Sequence, residues 1–371
     1  MSKPIDEDSS LETFAEQHEA DVLRETESLQ RKVRALNSDR TRLTQENARL
    51  GVELDVMESA LSEAKFLEPE PGWLQPSEGK SDPTRATLVT ILSDVHAGER
   101  VEPNEMQDYN AYNLDVTDFR LRRYFEKTIR LSRDYIAGVS LEGIVLALGG
   151  DQVSGTIHDE LSETNELSTF DTIMWLAPRI AAGIEMWAEE FPNVHVVSAP
   201  GNHGRDSKKP RFKGRSAHNA DTMLTKILAF YFATKANVPN VTFDIPDSFD
   251  VDFPVYGFRF SLEHGDNMRF SGTSEIGAYG PVKRGTLRKG RQRQGEGRPM
   301  DYNLVGHFHQ YIPAWSQGFI MNGSLKGYDE YARGWKFTPE PPQQALLVVA
   351  PEYGITQDIA IKVSKRSEEG W

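Results

Sequence analysis

Between residues 20 and 63 apolar side chains recur every seven positions. With Val22, Leu29, Leu36, Leu43, Leu50 and Met57 as d positions, the a positions fall at Thr26, Val33, Arg40, Asn47, Leu54 and Leu61. A stripe confined to a and d, with no proline between Ile5 and Glu68, predicts a coiled coil. Asn47 at one a site, with leucines at d, favours a parallel two-stranded register, so a homodimer is expected. Arg40 and Gly51 weaken the seam. A single amphipathic helix lying on a globular domain is the alternative. Segment 66–83, rich in Pro, Glu and Gly, ends the helix and reads as a linker. Trp73 inside it fits either an anchor or an exposed side chain.

From Ala86 onward the pattern changes to short apolar runs that end in Gly, Asp, Asn or His. These runs predict strands at 87–93, 143–149, 194–199, 256–263, 302–306, 317–322, 345–350 and 357–363. Helical spacing fills 116–137, 168–190 and 219–236. Strands alternating with helices first, and hairpin-like strands later, predict an α/β (α+β) domain of mixed sheets with helices outside. The expected division is an acidic disordered tail at 1–19, the coiled coil at 20–65, a linker at 66–86 and one large domain at 87–365.

Composition narrows the chemistry. None of the 371 residues is cysteine, which removes thiolate metal ligands, disulfides and Cys nucleophiles, and leaves His, Asp, Glu and Asn to hold any metal. The acidic N-terminal stretch has no apolar core of signal-peptide type, and the apolar runs are strand-length. A cytoplasmic protein with no membrane contact is expected. The formal net charge of −14 is uneven: residues 1–80 hold 10 basic and 18 acidic side chains, a net of −8, which leaves −6 for the rest.

Five of the expected strands end in polar clusters of metal-ligand type. They are Asp94 and His96 in SDVHAG, Asp151 in GGDQVSG, Asn202 and His203 in GNHGR, His264 in HGD, and His307 and His309 in GHFH. In Asp94-Val95-His96 and His307-Phe308-His309, alternate residues of an extended chain point the same way. The preceding glycines allow tight exits from the strands and close approach of the backbone. One such cluster is weak, because a lone D-x-H or N-H after a strand is more often a turn or cap.

The ordered set D-x-H, G-D, G-N-H, H-G-D, G-H-x-H resembles the calcineurin-like metallophosphoesterase family, over about residues 87–323. The resemblance implies a four-layer sandwich of two mixed β-sheets flanked by helices, carrying two divalent ions. Carried over position by position, Asp94, His96 and His309 would hold the first ion, Asn202, His264 and His307 the second, and Asp151 would bridge them. Such ions clamp a phosphate and activate a water. Oxygen and imidazole donors suit transition metals, manganese foremost, with iron, zinc or nickel as alternatives. His203 would protonate the leaving oxygen. The chain departs from the family after G-N-H, where Gly204 and Arg205 replace the usual acidic residue, so the partner of His203 is not apparent. Asp221 is a candidate, although a surface or capping aspartate is the simpler reading.

Two runs break the acidic average. Residues 205–215 hold six basic side chains against one acidic, and 283–298 hold seven against one. Read as flexible loops beside the metal centre, they suit a phosphate backbone, with Arg205, Lys283, Arg284, Arg288 and Arg291 as substrate-binding residues and the second run as a possible lid. His158, Glu160 and Asn165 are placed near the same mouth, Ser168 caps the following helix, and His195 reads as structural. The expected activity is metal-dependent hydrolysis of phosphodiesters, in nucleic acid or nucleotides. A phosphomonoesterase is the alternative, as is a coiled-coil assembly protein with minor phosphoesterase activity.

Overall fold

A computed structural model describes residues 29–45, 47–48, 70–75, 84–268 and 277–371. The chain divides into two compact units, Met1–Ala64 and Lys65–Trp371. In the first, residues 29–45 form a helix, α1, on which Leu29, Val33, Leu36 and Leu43 stand in solvent, the last 54% and Leu36 68% exposed. The expected acidic tail and the heptad positions Val22, Thr26, Leu50, Leu54, Met57 and Leu61 lie outside the described residues.

The second unit is an α/β sandwich of two mixed sheets. In one, β1 (Arg85–Leu92), β2 (Ser140–Leu148), β3 (Val194–Ser198) and β4 (Val241–Asp244) run parallel. β9 (Gln343–Ala350) joins antiparallel to β1, and β10 (Gly354–Lys362) antiparallel to β9, giving the order β10-β9-β1-β2-β3-β4. In the other, β5 (Asp250–Val255) pairs antiparallel with β6 (Phe258–Glu263), and β6, β7 (Tyr302–Val305) and β8 (Phe319–Met321) are parallel.

The period-two alternation of the first sheet explains the layers. Leu88, Leu92, Ile144, Leu146, Val194 and Val196 share one core with helices α2 (Leu114–Asp134), α4 (Thr169–Glu190) and α5 (Ala220–Ala233). Their neighbours Val89, Ile91, Val145, Ala147 and Val197 face the second sheet, meeting Val251, Phe253, Phe260, Leu262 and Leu304. The outer face of the second sheet carries Val305, Phe319 and Met321, covered by Val282 of α6 (Tyr279–Gly295). Helix, sheet, sheet and helix therefore stack in the four layers that the resemblance implied.

The strands β4 and β5 and the helix α6 depart from the sequence reading. The run 283–298, read as a basic loop, is mostly the helix α6. Its inner face is Val282, Thr286, Lys289 and Arg293, and the last two are buried in ion pairs rather than apolar contacts. Lys289 lies 3.2 Å from both Asp250 and Glu263, while Arg293 lies 2.5 Å from Asp250 and 3.1 Å from Asp252. Strand β5 alternates Asp250 and Asp252, which meet these cations, with Val251, Phe253 and Val255, which meet the first sheet, so it is short and half acidic rather than an apolar run. The expected linker is also shorter than its composition suggests. Leu74 is fully buried, its carbonyl accepts from the Tyr256 N–H at 2.7 Å, and Trp73 lies against Gly143, so residues 72–75 belong to the second unit.

One buried cation ties the helical layer to the loop after β8. Arg120 of α2 is fully buried and donates to Glu369 of the C-terminal helix (Arg366–Glu369) at 3.0 and 3.1 Å, to the Lys326 carbonyl at 2.6 Å and to Asn110 at 2.8 Å.

His195, on the inward face of β3, is 4% exposed with Nδ1 2.8 Å from the Thr242 hydroxyl, as its alternating position predicted. Burial pulls its pKa down to about 4. The unfolded histidine binds its proton near 6.5, so its stabilising contribution is complete above that pH and is lost as pH falls toward 4. Between pH 7 and 5 the metal-free protein should lose about 2 kcal/mol more stability than His195→Gln, measured by denaturant unfolding. Equal losses in the two proteins would show that another group carries the acid sensitivity.

Candidate metal centre

All the expected ligands converge beyond the carboxyl ends of β1, β2, β3, β6 and β7, where parallel neighbours bring their exits to one edge of the sandwich. Asp94, His96 and His309 form one group of donors within 4.8 Å of each other, and Asp151, His264 and His307 form a second. In the first, His96 Nε2 is 3.2 Å from His309 Nε2, which is 3.3 Å from Asp94 Oδ1. In the second, His264 Nε2 sits 2.9 Å from Asp151 Oδ2 and 3.1 Å from Asn202 Oδ1. Asp151 Oδ2 is also 3.9 Å from His96 Nε2, so this carboxylate faces both groups. His203 enters a third grouping with His96 and Asp151. Seven oxygen and imidazole donors in two adjoining clusters fit a pair of divalent transition ions.

The backbone at these ligands is unusual. Asp94, His96, Asp151, His307 and His309 all have positive φ, between 49° and 69°. Asp, Asn and His tolerate this left-handed region better than most residues, at a cost of about 1 kcal/mol or more each. Close approach, rather than a turn alone, requires the adjacent glycines. A Cβ on Gly150 would lie 2.5 Å from the Gly201 nitrogen, and one on Gly201 would lie 2.1 Å from Asp151 Oδ1.

Outer contacts fix several of these donors. His264 Nδ1 donates to the Gly149 carbonyl at 2.8 Å, which leaves Nε2 facing Asp151. Asp94 accepts the His307 N–H at 3.0 and 3.1 Å and also pairs with the Ser93 hydroxyl, itself held by Asn322 at 2.9 Å. The charges of these groups act on one another at close range. Burial disfavours a charge on His264, yet Asp151 overrides it and raises the pKa to about 10. Burial likewise opposes ionisation of Asp151, but His264 and His203 hold its pKa well below the usual range. His307 is pulled down to about 4 by burial and by His264, and His96 well below its ordinary value by burial and Lys326.

Three groups that sequence reading did not assign hold the site together. Asp221 is 1% exposed, not a surface residue, and it does not touch the His203 ring. Its oxygens accept the backbone N–H of Asp151 at 2.9 Å, Gln152 at 3.0 Å and Gly201 at 2.9 Å, while Asn219 caps α5. Burial and Asp151 raise its pKa to about 6. The partner of His203 is a carbonyl: Nδ1 donates to Ser154 O at 2.8 Å, and Asn165 fixes that turn by accepting from the Ser154 hydroxyl and donating to the Gly155 carbonyl. The third group is Glu99, whose Oε2 lies 3.3 Å from His96 Nδ1 and whose Oε1 accepts from Lys326 at 2.8 Å. Lys326 also pairs with Asp329 at 2.5 Å, and all four residues are buried. A GD or GNH motif signals a ligand, but nothing local marks a carboxylate that arrives from a helix, as Asp221 does, or a lysine from beyond β8; Glu99 lies only three residues after His96.

The remaining expected residues have mixed placements. His158 lies with its ring 5.9 Å from that of His203, and Ser168 caps α4 as expected. Glu160 falls in the short helix α3 (Asp159–Thr164). Arg205 spends three of its nitrogens on backbone carbonyls, those of Ser207, Asn202 and Lys208, so it braces its own loop. Lys283, Arg284, Arg288 and Arg291 lie on the exposed side of α6. Arg284 and Arg288 line a cleft of about 640 Å³ with Glu263, the residue before ligand His264.

No family model and no curated protein matches the sequence. Among solved structures the chain is similar to a dimetal phosphatase from Danio rerio, at 12% identity and a TM-score of 0.33, covering 76% of this chain and 100% of that one. It is similar to Vacuolar Protein Sorting 29 from Cryptosporidium parvum, at 13% and 0.29, covering 74% and 98%. A third likeness is to Vps29 complexed with zinc from Entamoeba histolytica, at 12% and 0.27, covering 74% and 99%. Likenesses this distant bear no weight on the chemistry, which rests on the ligand geometry.

Removing the carboxylate behind His96 should weaken the first group selectively. Glu99→Gln is expected to lower Mn²⁺ affinity at one of two sites by about 10–100-fold in isothermal titration calorimetry, with the other site unchanged. Two unchanged affinities would show that Glu99 serves only to neutralise Lys326.

Proposed function

We propose that this chain is a two-metal phosphoesterase of the calcineurin-like kind, hydrolysing phosphodiester bonds in nucleic acid or nucleotides. The observation that carries this reading is the pair of donor groups sharing Asp151, built from five separate strand ends. Bound there, two divalent ions, Mn²⁺ by preference, would neutralise phosphate charge and make water nucleophilic at neutral pH. Asp94, His96 and His309 would hold one, Asn202, His264 and His307 the other, with Asp151 between them.

The protein's own residues supply the rest. His203 is held through Nδ1 by the Ser154 carbonyl, and its Nε2 is the atom from which a proton can pass to the leaving oxygen. The Asp151 carboxylate fixes the His203 backbone N–H at 2.7 Å, so the same residue positions a ligand and the acid. Cationic surface on the 205–215 loop favours a diester polyanion over a small monoester, because a monoester needs fewer positive charges. The α6 cations count for less in that choice, since Lys289 and Arg293 are neutralised internally. The exposed leucine and valine stripe of α1 supports self-association as a parallel coiled-coil dimer.

Two experiments test this reading. With Mn²⁺ and an aryl phosphodiester, Asp151→Ala should lose several kcal/mol of rate acceleration, about a thousandfold or more, and a variant of undiminished activity would refute the shared-carboxylate site. Deleting residues 1–66 should halve the mass by light scattering while preserving aryl diester hydrolysis; an unchanged mass would remove the coiled-coil dimer.

A further inference from the structure

The loop 205–215 leaves ligand Asn202 and returns to α5, and its shape is set from inside. Arg205 spans it, donating at 2.8 Å to the Ser207 carbonyl, 3.1 Å to Asn202 and 3.0 Å to Lys208. Asp206 lies 2.8 Å from His218 Nδ1 and 3.7 Å from Arg211, and Lys208 reaches Asp159 at 2.6 Å. Arg215, half-buried, pairs with Asp266 at 2.7 Å. With the loop braced in this way, Lys209, Arg211, Phe212 and Lys213 are left facing solvent.

Phe212 is 93% exposed, more than any other large apolar side chain among the described residues. Its ring does not hold the loop, which Arg205 and Asp206 already fix, so the fold does not account for a phenyl group here. Such a ring is stabilised when a partner buries it. The ring sits between two cations, Arg211 and Lys213, and Arg205, Arg211 and Arg215 line a cleft that also holds the ligand Asn202. An aromatic face flanked by positive charges beside a phosphoester centre matches the way single strands are held, with a base on the ring and phosphates on the cations. A duplex keeps its base faces stacked inside and offers nothing to such a ring.

We infer that Phe212 is a nucleobase-stacking residue for single-stranded nucleic acid, with Lys209, Arg211 and Lys213 taking the adjoining phosphates of a strand led toward the metal cleft. This rests on the phosphodiesterase reading and names its substrate class. Phe212 touches neither the ligands nor His203, so it governs strand binding and leaves bond cleavage alone.

The test uses the full chain and a fluorescein-labelled oligothymidylate, with affinity read by anisotropy in EDTA so that binding is separate from turnover. Phe212→Ala should weaken binding about tenfold, within the range for one stacked base, while leaving duplex binding and Mn²⁺-dependent aryl diester hydrolysis unchanged. Phe212→Trp should retain affinity and add a tryptophan signal that the oligothymidylate quenches. Unchanged oligothymidylate affinity in Phe212→Ala, or an equal loss on duplex, would overturn the inference. Phe212-dependent binding to phosphatidylserine vesicles with unaltered oligothymidylate binding would overturn it in favour of a membrane. Failure of the wild type to hydrolyse aryl diester, with the Phe212 effect on binding intact, would remove the hydrolase reading and leave the stacking surface standing.

Discussion

Three backbone amides meet one buried carboxylate, and the rest of the centre depends on that meeting. Asp221 takes the N–H groups of Asp151, Gln152 and Gly201, so it clasps the exits of β2 and β3 together. Burying a carboxylate is costly, and three N–H donors are what makes it tolerable. The clasp brings Gly150 and Gly201 so close that neither position has room for a Cβ. Asp151 can then lie between two groups of donors, and the His203 backbone can bond to it. Substituting the clasp would disturb Asp151, the donors around it and the His203 backbone together.

Around that point the histidines are oriented from behind by groups of different kinds: a carbonyl for His264, another for His203, and a carboxylate for His96. The carboxylate is itself held by Lys326, in the loop that Arg120 grips from α2. The C-terminal helix, the first helix of the sandwich and the ligand loop of β1 are thus linked by a chain of buried charges. Each member is costly to leave without its partner.

Much of this was legible in the chain. Alternating apolar runs located eight of the strands, and ligand types at their ends located the seven donors, because a strand end is where sequence and geometry are most directly tied. The strands β4 and β5 and the helix α6 escaped. α6 and β5 face each other through Lys289, Arg293, Asp250 and Asp252, so the buried faces are charged and a search for apolar periodicity passes over them. Asp221 and Lys326 act across the fold, and no local pattern marks a residue whose partner is distant in sequence, whereas Glu99 follows His96 by only three residues. Trp73 and Leu74 show the opposite error, a linker-like composition whose middle is packed into the core.

The left-handed backbone at five of the seven ligands has a consequence for how such a chain changes over generations. Those residues hold a conformation that glycine would adopt without strain, so the active centre sets itself against the stability of its own framework. Drift toward glycine at a ligand position relieves backbone strain as it silences the site, whereas the return substitution must restore strain before any chemistry repays it. Loss of the donor set with retention of the sandwich is therefore the easier direction of travel.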